Sequence, residues 1–227
     1  MLDRIITKAT CLFAGVILFS APAWAGDSAN PHVHAHSYTK HVETHPSQGD
    51  IRVIEGAQAT LTVTKAGAFA SIETSELVPG HAYTLWFVVI NSPEACENSP
   101  CKANDVLKRT SVTQADVGYG DGLIAGPDGK GHFTTFRSLG DLPQSWLGTG
   151  FKDPWKAEFH LVVHDHGPVI AGREAEMTGS YRGGCADDSL PDIVPATAKA
   201  DGTVGPNSCK LVQDVIFIQS EQMMAAQ

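Results

Sequence analysis

Residues 157–168 read Ala-Glu-Phe-His-Leu-Val-Val-His-Asp-His-Gly-Pro and hold three of the chain's ten histidines. Phe159, Leu161 and Val163 recur at every second position, and Glu158, His160, Val162, His164 and His166 fill the alternate ones. A period of two is that of a β-strand, whose side chains point to opposite faces in turn. The first set belongs in a core. The second forms an imidazole-rich face.

The flanking sequence has the same texture. From His81 to Ile90 both faces are apolar, with Tyr83, Leu85, Phe87 and Val89 on one and Trp86, Val88 and Ile90 on the other. Such a strand is central and buried. Leu61 and Val63 alternate with threonines, and Phe69 to Leu77, His132 to Arg137 and Lys210 to Ser220 read as further strands. Glu174 to Tyr181 reads as another, and Asp105 to Arg109 as a strand or a short helical turn. The six glycines between Gly118 and Gly131 predict turns. Ser138 to Trp155 is irregular and long, as loops that line a site often are. Roughly eight short strands with turn signals between them, and no amphipathic helix, predict an all-β fold: an antiparallel β-sandwich or barrel stapled by disulfides.

The 227 residues divide into three parts. Residues 1–25 read as a signal peptide, with Arg4 and Lys8, an apolar run from Ala9 to Phe19, and Ala23-Trp24-Ala25 as cleavage site. Residues 26–50 are polar and contain His32, His34, His36, His41 and His45. They read as a flexible His-rich N-terminal segment, which either gathers Cu²⁺ or Zn²⁺ loosely or serves as a solubilising tail. Residues 51–227 form a single β-sandwich domain.

An exported chain, periplasmic or extracellular, is therefore expected, with no membrane insertion after signal cleavage. Cleavage leaves 14 of the 16 basic and 24 of the 25 acidic residues, a net charge of −10 with histidines neutral. That balance disfavours nucleic acid as a partner. Four cysteines remain after cleavage, and an even number in an exported chain reads as disulfides. Cys96–Cys101 and Cys185–Cys209 are the expected pairs because both close local loops. A four-thiolate zinc site is the rival.

His164 and His166, two apart on a strand, are spaced to share one metal ion. His81 and His132 open two other strands and are the nominated additional ligands for Zn or Cu. His160, four residues from His164, lies too far along the strand to join them and pairs instead with Glu158. Hence the leading expectation is a binding or accessory protein whose partner is a metal ion. The alternative is an enzyme that uses His160, His164 or His166 with an acidic residue, His160 and Glu158 being the catalytic candidates, on a small molecule held under the Ser138–Trp155 loop. Trp146, Phe151 and Trp155 would wall that site or simply cover the core. A structural surface module with no site is the third class. No Gly-x-Ser-x-Gly elbow and no phosphate-cradling glycine loop occurs, so no nucleotide cofactor is indicated.

Three stretches together resemble the chordin-type (CHRD) domain of secreted proteins: Leu77-Val78-Pro79-Gly80-His81-Ala82-Tyr83-Thr84-Leu85-Trp86, the histidine run from His160 to His166, and Tyr181-Arg182-Gly183-Gly184. Exported bacterial β-sandwich proteins of unassigned function look similar. The resemblance spans Ala57 to about Ser220. It implies the same fold class and leaves function open.

Overall fold

The computed structural model describes residues 35–219. Its strands are β1 (His36–Thr44), β2 (Val53–Thr64), β3 (Gly67–Thr74), β4 (His81–Ile90), β5 (Ala115–Ile124), β6 (Gly131–Ser138), β7 (Glu158–Pro168) and β8 (Lys210–Ile218). They form one antiparallel sheet in the order β5-β4-β7-β8-β1-β2-β3-β6. The two end strands meet. Arg137 Nε on β6 donates to Tyr119 O (2.9 Å) and its Nη2 to Gly120 O (2.8 Å), both on β5. Asp121 Oδ2 on β5 accepts from Thr134 N on β6 (2.7 Å). The sheet thus curls into a nearly closed barrel whose seam is held by side chains.

The interior follows from strand alternation. Leu61, Ile72, Phe87, Phe133, Leu161 and Phe217 all point inward and are fully buried. β4 is apolar on its other face too, because three excursions of the chain cover it from outside. They run over residues 91–114, 139–157 and 169–209, and they enclose a second apolar layer around Trp86, Val88, Val117, Trp146 and Tyr181. Both expected disulfides are present. Cys96–Cys101 closes the first excursion, and Cys185–Cys209 ties the third to the start of β8.

Three expectations change. Residues 36–44 lie within the segment read as flexible, yet they form β1, paired from His36↔Val63 to His41↔Gln58 with β2 and through Glu43↔Asp214 with β8. Low average hydrophobicity hid the alternation. Tyr38 and Val42 face the core, while Ser37 and Thr39 make hydroxyl pairs with Thr62 (2.6 Å) and Thr60 (3.2 Å). His32 and His34 and the signal segment lie outside the described residues.

The glycines at 118, 120 and 122 stand inside β5 rather than in turns. Excursion backbone presses on this strand: a Cβ on Gly118 would lie 2.9 Å from Pro143 O, and one on Gly122 would lie 1.9 Å from Thr178 O. Glycine is here a requirement of close approach. Glu174–Met177, expected to be part of a strand, is a short helix. Its four residues include Ala, Met and two Glu, all good helix formers.

Candidate functional site

Strand alternation puts Glu158, His160, Val162, His164 and His166 on the outer face of β7, as expected. That face is covered rather than solvent-facing: Glu158, His160, His164 and His166 are all buried under the excursions. What each imidazole does is decided by what covers it.

His166 is fully engaged. Its Nδ1 donates to Gly183 O (2.9 Å), and its Nε2 accepts from Thr84 Oγ1 (2.8 Å), which in turn accepts from Trp86 Nε1 (2.9 Å). This network satisfies a neutral ring with its proton on Nδ1, and burial pushes its pKa down to about 4. No nitrogen is left over for a metal ion.

His164 is the opposite case. Its ring stacks on Tyr181, 4.7 Å between centroids, and lies 4.4 Å from the His166 ring. Its Nδ1 is buried with no hydrogen-bond partner among the described residues. Burial, and then the neighbouring His166 and His45, hold its pKa well below the usual imidazole value. Nearest to it chemically are Cys185 and Cys209. One ligand atom of His164 and the two sulfurs all lie within 4.8 Å of one another, although the sulfurs are joined as a disulfide.

The other nominated ligands are elsewhere. His81 stands at the end of β4 beside Asp165, with Nδ1 3.0 Å from Oδ1. Asp165 also accepts from Gly167 N (2.7 Å) and, at 3.4 Å, from Tyr83 OH. Since Tyr83 belongs to the barrel interior, this cluster lies across β7 from His164. His132 is exposed on β6 opposite Glu73. The four histidines nominated for one metal thus fall into three separate places.

His160 opens onto a pocket. Its Nε2 donates to Glu158 Oε1 (2.6 Å), and the same oxygen accepts from Cys101 N (2.8 Å). The pair fixes the tautomer, so Nδ1 carries the lone pair. The pocket holds about 130 Å³ and lies over a row of cross-strand partners, Trp86↔Val162↔Asp214, on β4, β7 and β8. Trp146 and Tyr181 wall it, with centroids 4.6 Å apart and 5.0 and 5.4 Å from Trp86. Trp146 is delivered by the second excursion, which Asp116 anchors by accepting from Leu147 N (3.2 Å), Gly150 N (2.7 Å) and Ser145 Oγ (2.8 Å). Phe151 belongs to the barrel interior and Trp155 packs against it, so of the three residues nominated as a wall only Trp146 lines this pocket.

Two further lining residues carry polar chemistry. His45 follows β1, and its Nδ1 accepts from Ser47 N (3.1 Å). Burial, and then His160, push its pKa down to about 4. Asp214 sits among apolar residues of β8. Burial, and then Glu43 beside it, push its carboxyl up to about 7. Trp146 Nε1 is buried without a partner among the described residues. The recess therefore combines an aromatic wall, an imidazole with a fixed lone pair and a carboxyl raised to about 7, with the unpartnered indole N–H of a wall residue buried beside them. Such a set can hold a small molecule by one or two polar atoms and move a proton to or from it.

Comparisons with protein-family models, with curated proteins and with solved structures find no match to this chain.

Proposed function

We propose that the chain is an exported protein that binds a small, largely apolar molecule bearing a hydroxyl or carbonyl group in the pocket over β4, β7 and β8. The observation that carries this reading is the convergence of unspent polar groups within an aromatic wall. His160 and Trp146 both line a recess that Trp86, Trp146 and Tyr181 keep apolar, and Trp146 Nε1 is buried without a partner among the described residues. A buried donor left without a partner costs about 1–3 kcal/mol, which a ligand oxygen would recover. The size sets the ligand class, since a cavity of roughly 150 Å³ accommodates benzene. Phenol is the probe of choice. Saturable one-to-one binding, read by quenching of Trp86 and Trp146 fluorescence and by calorimetry, is the expected result. No saturable signal from phenol would sink the reading.

Acid–base turnover of the bound molecule is a second reading, favoured by the placement of Asp214 and His160 around one recess, Asp214 being the cross-strand partner of Val162, two residues along β7 from His160. Enzymes set a catalytic acid near the working pH, as burial sets Asp214. Export rests on the signal-like residues 1–25 and is compatible with two closed cysteine pairs. Recovery of the chain outside the cytoplasm, with a mass lacking those 25 residues, is the expected outcome.

A further inference from the structure

We propose that Cys185, Cys209 and His164 form a redox-gated site for a thiophilic metal ion, Zn²⁺ or Cu⁺, which assembles when the Cys185–Cys209 disulfide is reduced. The inference is independent of the pocket reading. It keeps one ligand of the metal expectation, His164, and replaces the others by residues the fold brings to it.

The geometry carries the inference. Two sulfurs and one imidazole nitrogen lie within a sphere that a single ion spans, each no more than 4.8 Å from the others. With Zn–S near 2.3 Å and Zn–N near 2.0 Å, tetrahedral ligand atoms stand roughly 3.5–3.8 Å apart. The sulfurs need only separate from their bonded distance, over Cα atoms 5.4 Å apart. His164 Nδ1 is buried and unpartnered, an arrangement that a ligand would relieve. His166 Nδ1 lies 3.5 Å from Cys185 Sγ, but its proton is spent on Gly183 O, so this ring packs beside the site without joining it. Both cysteines are buried, so reduction requires the third excursion to open locally at its junction with β8.

The chemistry balances with a phosphine as reductant. The S–S bond breaks, the phosphine takes oxygen from water to become its oxide, and the two hydrogens of that water end on Cys185 and Cys209 as thiols. Metal binding then displaces the thiol protons. Thiol–disulfide exchange with an added small-molecule disulfide re-forms the Cys185–Cys209 bond, releases two small-molecule thiolates and frees the ion.

The test is a Co²⁺ titration of the full chain, oxidised and phosphine-reduced, followed by thiolate-to-cobalt absorption in the near ultraviolet and displacement by Zn²⁺. The expected result is one Co²⁺ per reduced chain with thiolate absorption, and none in the oxidised chain. Cys185→Ser should abolish the absorption, and His164→Ala should weaken binding by about tenfold or more. Binding by Cys96 and Cys101 alone would survive both substitutions and would overturn the proposal. So would a reduced chain that shows no thiolate absorption while near-ultraviolet circular dichroism reports it folded. If reduction unfolds the chain, refolding by Zn²⁺ in wild type but not in His164→Ala supports the site, and failure of Zn²⁺ to refold it refutes the site.

Discussion

Glu158 and His160 stand two residues apart on one face of β7 and share a 2.6 Å hydrogen bond, while the same carboxylate oxygen accepts the backbone N–H of Cys101. One buried oxygen thus joins the first excursion to the polar heart of the pocket. Glu158→Ala leaves the Cys101 amide and the His160 N–H without their acceptor, and about 2–3 kcal/mol of stability should be lost. Glu158→Gln keeps an acceptor and should cost less. Urea denaturation of the two variants separates these outcomes.

Val162 lies between Trp86 and Asp214 on the pocket floor. Val162→Phe should fill the recess and abolish phenol binding with the far-ultraviolet spectrum unchanged. His160→Ala enlarges the recess but removes the lone pair, and phenol affinity should fall about tenfold, as expected for one hydrogen bond. Calorimetry on both variants checks the pair of effects.

Asp214 is raised from 3.8 to about 7 in the folded chain. Between those values the native state holds a proton that the unfolded state has lost, so the contribution of this one carboxyl is full below pH 3.8 and declines as pH rises to 7. The decline should be on the order of 2 kcal/mol, allowing for partial contact of the carboxyl with water. Asp214→Asn should remove it. Urea midpoints at pH 5 and pH 7.5 measure the difference.

The buried histidines act in the opposite direction. His45 and His166 are lowered to about 4, and His164 well below its usual value. Below pH 6.5 the unfolded chain binds protons that the native chain refuses, so this contribution is intact at pH 7 and is lost as pH falls towards 4. In the Asp214→Asn background the urea midpoint should drop steadily across that window. His45→Gln should make the drop shallower.

Gly122 on β5 has Thr178 O where a Cβ would be, at 1.9 Å. Gly122→Ala must push the third excursion off the barrel. A loss of about 2–4 kcal/mol is expected, well above the usual cost of a surface substitution. Thermal unfolding of the purified variant is the check.

Much of the scaffold was readable because burial and periodicity coincide in it. β7 and β4 announce themselves by which residues alternate, and both cysteine pairs by the short loops they close. β1 escaped because its core contacts are only Tyr38 and Val42 among threonines, lysine and histidines. The pairing of Glu158 with His160 could be read from their spacing on one strand face. The rest of the pocket could not, because strand order assembles it. His45 and Asp214 come to β7 through β1 and β8, whose neighbourhood no local pattern reveals. A visible signal existed for Asp214, a lone acid in the apolar run from Leu211 to Ile218. The approach of Cys185 and Cys209 to His164 is likewise set by where the third excursion lands.

The barrel's seam has a consequence of its own. Between β5 and β6 no backbone ladder fixes the circumference. Arg137 and Asp121 span the gap by side chains, which tolerate small changes of separation that a ladder does not. The wall can therefore breathe at this line without breaking strand pairing anywhere else. It is also where raw sheet edges lie nearest to exposure. Losing both Arg137 and Asp121 would bare the outer edges of β5 and β6 beside the exposed Phe69 and Phe136, a surface suited to edge-to-edge self-association.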